Sequence, residues 1–453
     1  MRSVIAAAAL LVASSPAFAQ IAGAELTGSI VDQMGAALPG AAVTVVGVAT
    51  NRARVVTTTS EGMYAATGLA PGDYAVEVAL DGFTTVRRRG IRLATGEKVR
   101  IDFVLAVGDV REEVTVAAAA PAVRAGTASL GAVVGHEQVV QLPLNGRTFI
   151  SLAVLAPGVA LPPGSQLPRI NGGRPRTNEY LFDGISVLQP EPGQVAFFPV
   201  VDAIQEFKIE SNSPPAEFGR FNGGVVNLTT KSGANALHGT GFEFLRHEAL
   251  NARNAFQTAN AIAPEYRRSQ FGATLGGPLV RDRTFFFADY QGQRQTIGRT
   301  AISTVPTLLQ RQGIFTERIG ANVPIVYDPA TTSGLVRTPF PGNAIPAARM
   351  DPVAVALLQR YPLPTSAGTA NNFSRTASET DDQDQWDVRV DHHIAVNGDQ
   401  LFARLSSFAD GFEPVAPLPD GSGVASGTLG PQQTRAWSFA SSYQHALSTS
   451  ALN

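Results

Sequence analysis

Residues that could do chemistry are present, but their spacing matches none of the common catalytic or metal-binding motifs. His136 and His247 are each followed by a glutamate, yet neither has the second histidine that the zinc motif H-E-x-x-H requires. Lys231 follows a glycine-rich run without the spacing of a phosphate-binding loop. His392 and His393 are adjacent in a predicted strand, so they point to opposite faces and cannot bind one ion. We therefore expect no catalytic residue, no bound metal and no cofactor.

The composition favours a mainly β protein and gives no electrostatic case for nucleic-acid binding. The chain has 453 residues and a net charge of −2. Charged residues make up only 16%, whereas there are 44 glycines and 30 prolines, a mixture typical of many strands and turns. The absence of cysteine excludes a disulfide scaffold and cysteine metal sites but does not decide the compartment.

The N-terminus has the three parts of a secretory signal peptide. Arg2 is the positive region, residues 4–13 are an apolar run, and an A-x-A site ends at Ala19, before Gln20. We therefore predict export by the Sec route, with residues 1–19 removed; the alternative is a buried N-terminal helix. No other stretch has eighteen unbroken apolar residues, so a membrane role would require a β-barrel.

Residues 24–107 are predicted to form a β-sandwich. Apolar and polar residues alternate over residues 26–31, 74–81 and 99–105, with glycine-containing turns between them. The segments GSIVDQMGAALPGAAVTV and TSEGMYAATGLAPGDYAVEVALDGF resemble the carboxypeptidase regulatory-like domain. The resemblance implies a transthyretin-like sandwich of the carbohydrate-binding-like type and no peptidase activity, because the catalytic metal ligands of that family belong to another domain.

Three aromatic residues of this domain are candidates for contact with a sugar: Tyr64, Tyr74 and Phe83. An aromatic ring can stack on a sugar, but aromatics at strand spacing also pack in cores and at corners. Both interpretations stay open on the sequence.

Residues 108–126 are predicted to be a linker. It contains DVREEVTV, in which acidic residues precede a β-branched run, as in an extended edge segment. Such a segment can add as a strand to a partner sheet. The alternatives are the last strand of the sandwich or a simple connection.

The stretch from 201 to 233, VDAIQEFKIESNSPPAEFGRFNGGVVNLTTKSG, organises the rest of the chain. Residues 206–210 alternate between apolar and charged side chains, which predicts a strand with one face of each kind. Gly219, Gly223 and Gly224 are predicted to let backbone approach closely, and residues 225–230 to form a second strand.

This stretch resembles the end of the plug domain of TonB-dependent outer-membrane receptors, most closely the Oar-like branch. LGAVVGHEQVVQLPLNGRTF and RINGGRPRTNEYLFDGISV carry the same resemblance, so residues 127–233 are identified as a plug of α+β type. We expect short helices at 137–141 and 149–155 and a turn at Asp183-Gly184. Plugs of this family are held by polar and charged contacts, and we expect these from Arg147, Arg169, Arg174, Arg176, Glu217 and Arg220.

In such a receptor, the edge segment would be the TonB box. It binds the energy-transducing TonB–ExbB–ExbD complex, and the candidate residues here are Glu112, Glu113, Val114, Thr115 and Val116.

From residue 234 onward, a period of two with frequent aromatics predicts strands of a transmembrane antiparallel β-barrel, with lipid outside and a wet lumen inside. A soluble sandwich would give the same alternation; the signal peptide and the plug favour lipid. Residues 301–384 are proline-rich and irregular, and are predicted to be a long extracellular loop with a helix that begins after Asp351 and ends near Arg360.

About 220 residues supply only part of a plugged transporter barrel, which needs about 22 strands, so we expect the chain to be a fragment of a longer product. The leading hypothesis is a receptor in the Gram-negative outer membrane that takes up a siderophore, a glycan or a similar ligand. The alternatives are an outer-membrane adhesin or assembly protein without transport and, less favoured, a soluble secreted carbohydrate-binding protein.

Overall fold

The computed structural model describes residues 23–108, 113–117, 129–163, 165, 167–189, 193–214, 218–219, 221–252, 265–394, 399–421 and 430–445. The predicted signal peptide with its cleavage site at Ala19 and Gln20, and also Glu112, Glu217 and Arg220, lie outside these residues. Within them, the fold is mainly β, as predicted, and no helix is long and apolar enough to cross a membrane.

A two-sheet sandwich forms the first unit, which we call the sandwich (residues 23–108). One sheet has the order β4-β1-β7 with β8 also paired to β1, and the other has the order β3-β2-β5-β6. Alternate residues of both sheets, such as Leu26, Val43 and Val76, are fully buried between them, because successive side chains of a strand point to opposite faces. The strands are β1 (Ala24–Asp32), β2 (Ala42–Gly47), β3 (Arg52–Thr57), β4 (Met63–Leu69), β5 (Gly72–Ala79), β6 (Thr85–Leu93), β7 (Lys98–Arg100) and β8 (Phe103–Leu105).

A short strand after the sandwich extends its second sheet. This strand, β9 (Glu113–Ala117), pairs in parallel with β6 at the edge of the sheet. The backbone therefore places the candidate TonB-box segment, from Glu113 onward, on the sandwich.

The second unit, which we call the central unit (residues 129–233), is an α+β unit around a five-stranded sheet with the order β10-β15-β16-β13-β14. One face of this sheet packs its apolar side chains, among them Phe207 and Ile209, on helix α1 and on a 3₁₀ helix at Phe149–Leu155, where the sequence predicted helices. The elements are β10 (Leu130–Gly135), α1 (His136–Gln141), β11 (Val159–Ala160), β12 (Arg169–Ile170), β13 (Glu179–Phe182), β14 (Ile185–Ser186), β15 (Ile204–Asn212) and β16 (Val225–Thr230).

The third unit is one antiparallel sheet of six strands in sequential order, which we call the wall. Its strands are long, and its outer side chains, such as Val388, Trp437 and Phe439, are exposed apolar groups, as on the lipid face of a barrel. The strands are β17 (His238–His247), β18 (Tyr266–Val280), β19 (Thr284–Ser303), β20 (Phe373–His393), β21 (Gln400–Glu413) and β22 (Gln432–Gln444).

The long loop is shorter than predicted, because the strands on both sides of it extend further. β19 continues to Ser303 and β20 begins at Phe373, so the loop covers residues 304–372 and not 301–384. Its helices are α2 (Leu308–Arg311) and α3 (Pro352–Arg360). The carboxylate of Asp351 caps α3 as predicted, since it accepts hydrogen bonds from the amides of Val353 (2.7 Å) and Ala354 (3.2 Å).

Candidate functional site at the inner face of the wall

A buried carboxylate of the central unit lies between two arginines of the wall. Asp183 is the first residue of the two-residue turn between β13 and β14, and both it (φ 51°) and Gly184 (φ 83°) have positive φ, as a tight hairpin requires. Its Oδ1 lies 3.1 Å from Nη1 of Arg389, and its Oδ2 lies 3.0 Å from Nη1 of Arg404. Arg389 is on β20 and Arg404 is on β21, so a single carboxylate joins the central unit to two strands of the wall.

Neighbouring groups hydrogen-bond Asp183 and Arg389, whereas Arg404 contacts Asp183 as an ion pair without a well-aligned hydrogen bond. Asp183 Oδ1 accepts a hydrogen bond from the amide of Thr230 (2.9 Å), and Arg389 also pairs with Asp391 (2.8 Å) and donates to the carbonyl of Thr230 (3.2 Å). The side chain of Arg404 is only 1% exposed. Buried charges with paired partners of this kind hold two surfaces in one geometry, and loss of one partner is strongly destabilising.

The sequence analysis identified Asp183 only as a turn residue and missed both arginines. A signal for the arginines was present, because Asp387, Arg389 and Asp391 occupy every second position of a strand whose other face carries Trp386 and Val388. In a membrane strand, the polar face is the lumen face. The partner of Arg389 could not be predicted, because the contact between strand and turn depends on the tertiary arrangement.

Arg147, a predicted contact residue, lies between the central unit and the wall. It pairs with Asp202 inside the central unit, and its guanidinium lies 4.6 Å from the ring centroid of Phe242 and 4.2 Å from that of Phe244, both on β17. Burial lowers the pKa of Arg147, and the Asp202 carboxylate acts in the opposite direction. Arg147 therefore contributes a cation–π contact and not an ion pair to the wall.

The other predicted contact residues are not brought to this interface. Arg169, Arg174 and Arg176 are exposed on the central unit, and Glu217 and Arg220 lie outside the described residues. Arg169 is the first residue of β12, and Arg174 and Arg176 lie in the loop that follows it.

A second polar cluster lies beside the Asp183 site. Asp289 and Asp387 are directly opposite each other on β19 and β20, and both are buried. Burial lowers the pKa of Lys231 in the central unit, and the carboxylates of Asp202 and Asp289 act to raise it. Among the described residues, no group of three or more His, Cys, Asp or Glu side chains is arranged to hold a metal ion.

The aromatic residues considered for sugar contact lie in or against the core of the sandwich. Tyr64 is 3% exposed and donates its hydroxyl to the carbonyl of Ile101 (2.7 Å), and Tyr74 is 9% exposed and donates to the carbonyl of Ala70 (2.7 Å). Burial raises the pKa of Tyr74 to about 12. Phe83 is half-buried against the same core. This placement matches the core-packing alternative, since neither tyrosine presents its ring to solvent.

Comparison with known families defines the class of protein. Residues 229–453 match the family model described as an outer membrane beta barrel domain, and residues 25–106 match the carboxypeptidase regulatory-like domain. The chain therefore contains an outer membrane beta barrel domain and a carboxypeptidase regulatory-like domain, and all six strands of the wall fall within the first of these.

More particularly, the chain is a homologue of the TonB-dependent transporter Oar of Myxococcus xanthus, with 30% identity over 302 residues. The match covers 63% of this chain and 28% of Oar, so this chain spans less than a third of the length of that relative. That relative is a transporter and not an enzyme, which agrees with the prediction that the chain is not an enzyme.

Solved structures of outer-membrane receptors are also similar. The outer membrane transporter YddB from Escherichia coli matches with a TM-score of 0.39 and 13% identity, over 63% of this chain and 33% of that one. The siderophore receptor PirA from Acinetobacter baumannii matches with a TM-score of 0.33 and 17% identity, over 70% of this chain and 44% of that one.

Proposed function

We propose that the chain is part of a TonB-dependent transporter of the outer membrane and that the central unit is its plug. The observation that carries the proposal is the Asp183 site, in which one turn of the central unit is held by Arg389 and Arg404 on the lumen face of two membrane strands. The homology to Oar supports the same function.

The transport mechanism follows from this arrangement. A ligand, for example a siderophore or a glycan, would bind from outside to the long loop 304–372 and to the outer end of the central unit. The TonB–ExbB–ExbD complex would pull on the segment at residues 112–116 from the periplasm. This force would displace the central unit from the wall and open a path for the ligand. Export of the protein itself would be directed by a signal peptide at residues 1–19.

The test is uptake by cells that carry or lack a functional TonB. A deletion strain is grown on panels of ferric chelates and oligosaccharides, and the gene is restored with and without residues 112–116. We expect the restored strain to accumulate at least one compound, and expect neither the strain without TonB nor the segment deletion to do so.

The second candidate function is an outer-membrane adhesin without transport. The sandwich, whose relatives are grouped with carbohydrate-binding-like folds, motivates it. Two results together would establish this function in place of transport. Cells without the protein would fail to adhere, and deletion of residues 112–116 would leave uptake unchanged.

A further inference from the structure

A tight turn of the sandwich presses against the central unit. Residues 94–97 form this turn, in which the amide of Glu97 donates to the carbonyl of Ala94 (3.0 Å) and Gly96 has a φ of +60°. The turn is thus held by its own backbone, and the positive φ favours glycine. Thr95, at its tip, has no exposed surface although it belongs to a surface turn, because the central unit covers it.

Thr95 contacts a pair of facing residues on two strands of the central unit. Its Oγ1 donates to Oε1 of Glu206 (2.6 Å), its amide donates to the same oxygen, and Oγ1 of Thr229 lies 2.8 Å from its own Oγ1. Glu206 and Thr229 are cross-strand partners on β15 and β16. The adjacent residue Gly96 accepts a hydrogen bond from Nζ of Lys208 (3.2 Å). The charged face of β15 that the sequence predicted is therefore the face that receives the sandwich.

The sandwich also reaches the end of the wall that carries the short turns. The carbonyl of Ala49 accepts from the amide of Asn235 (3.1 Å), and Arg52 donates to the side chain of Gln400. β18 and β19 are joined by a three-residue turn at this end, whereas loop 304–372 lies at the other end. Barrels of this class keep their short turns in the periplasm, so the sandwich lies across the periplasmic side of the contact between the central unit and the wall.

This interface is polar and incompletely filled, unlike the cores of the two units that it joins. A small pocket of about 80 Å³ lies where the sandwich meets the wall, lined in part by Arg52, Arg54, Tyr74 and His393. Glu206 is 3% exposed and accepts hydrogen bonds there from the amide and the hydroxyl of Thr95. Polar interfaces between domains of one chain are typical of domains that separate, and separation would return the Glu206 carboxylate to water.

The segment proposed for TonB is attached to the same turn through one strand. β9 pairs along β6, and β6 ends at Leu93, immediately before the turn at residues 94–97. Force applied at β9 therefore acts on the strand that leads into the turn with Thr95.

We propose that the sandwich is a removable latch: it covers the periplasmic exit, holds the central unit through Thr95, Glu206 and Thr229, and must leave before the central unit can move. The proposal rests on the proposed transport function and adds a step to it. The order of events is release of the sandwich, then displacement of the central unit.

A disulfide between the sandwich and the central unit tests the latch. The two threonine Oγ1 atoms are 2.8 Å apart, and a cysteine places its sulfur where threonine places Oγ1, so Thr95→Cys with Thr229→Cys should close a bond of about 2.05 Å. The chain has no other cysteine, and the oxidising periplasm forms the bond without added oxidant. The matched controls are the two single variants and the double variant after treatment with a membrane-permeable reductant.

We expect near-complete disulfide formation. The ferric chelate or oligosaccharide that the wild type accumulates should still bind at the cell surface as in the wild type, but its uptake should be at least tenfold lower until the reductant is added. Failure of the disulfide to form would overturn the contact, and undiminished uptake by the cross-linked variant would overturn the latch. If the single variants take up the panel compounds equally well with and without TonB, the proposed transport function is wrong. The disulfide yield is independent of that result and still shows whether the sandwich is docked on the central unit.

Discussion

Asp183 Oδ2 and Arg404 Nη1 lie 3.0 Å apart, and this ion pair connects a hairpin turn of the central unit to β21 of the wall. The other oxygen of Asp183 pairs with Arg389 on β20, so one carboxylate contacts two neighbouring strands. The guanidinium of Arg404 is buried, and Asp183 is the carboxylate of the central unit that pairs with it, while Asp289 and Asp387 of the wall also act on its charge. Loss of this ion pair should therefore weaken the contact between the central unit and the wall.

Removal of the carboxylate should loosen the central unit. Asp183→Ala leaves Arg404 buried without its partner, which costs on the order of 3–5 kcal/mol. We expect cells with this variant to become sensitive to vancomycin, which is too large for ordinary porins, because the path through the barrel opens without energy input. The measurement is the minimal inhibitory concentration.

A double variant separates this cause from general damage. Asp183→Leu with Arg404→Met removes both charges and keeps apolar volume, and replacement of a buried pair in this way is often neutral. The double variant should therefore be closer to the wild type than Asp183→Ala is. Equal sensitivity of the two variants would contradict an unpaired Arg404 as the cause.

The contact of Arg147 depends on its planar guanidinium. Arg147→Lys keeps the charge beside Asp202 but loses much of the stacking on Phe242 and Phe244. We expect a loss of about 0.5–2 kcal/mol in the stability of the docked central unit, measured by calorimetry of the purified protein. Phe244→Leu should cost a similar amount, and the two changes combined should cost less than their sum. Full additivity would show that the residues do not interact.

Gly219, Gly223 and Gly224 should differ in their tolerance of alanine. A Cβ on Gly223 would lie 2.0 Å from Oδ1 of Asn178, and one on Gly224 would lie 2.5 Å from the carbonyl oxygen of Glu210. A Cβ on Gly219 would meet no atom of a described residue within 4 Å. Gly224→Ala and Gly223→Ala should destabilise the central unit by about 1–3 kcal/mol, and Gly219→Ala by less than about 0.5 kcal/mol. Thermal unfolding measures the difference, and a similar loss in all three would contradict the packing.

Docking of the sandwich should depend on pH through Glu206. Burial raises the pKa of this carboxyl above its ordinary value of 4.5, against the hydrogen bonds from Thr95 that act to lower it. The docked state therefore holds the proton more tightly than the undocked state, so this contribution to docking is complete below pH 4.5 and is lost as the pH rises through the raised value. Calorimetry between pH 4 and pH 8 should show a fall in the wild type.

The matched variant is Glu206→Gln, in which an amide oxygen still accepts from Thr95 and no charge is buried. Its docking should be independent of pH over this range. A wild-type profile that rises with pH, or one that Glu206→Gln leaves unchanged, would remove Glu206 as the cause.

The sequence predicted the elements and the two family resemblances, because periodicity and turn residues act over short distances. The 3₁₀ helix at Phe149–Leu155, strand β16 and the cap at Asp351 lie where local patterns place them. Gly223 and Gly224 approach neighbouring atoms as expected, while a Cβ on Gly219 would meet no atom of a described residue within 4 Å.

The contacts between units were predicted less well. Of the predicted charged residues, Arg147 reaches the wall, but Arg169, Arg174 and Arg176 are exposed. The ion pairs of Asp183 could not be predicted, because the sequence Asp-Gly indicates a turn whether or not the carboxylate contacts another residue. The role of Thr95 had no local signal at all, because a threonine in a glycine turn is common on any surface.

The central claim is that the central unit closes the lumen of a membrane barrel. Conductance of the full-length gene product in planar lipid bilayers tests it most directly, with a variant that lacks residues 127–233 as the comparison. The account predicts that the intact protein is almost silent, that the deletion variant conducts large, stable currents, and that Asp183→Ala opens intermittently. An intact protein that conducts as well as the deletion variant, or a deletion variant that inserts into the bilayer and remains silent, would contradict it.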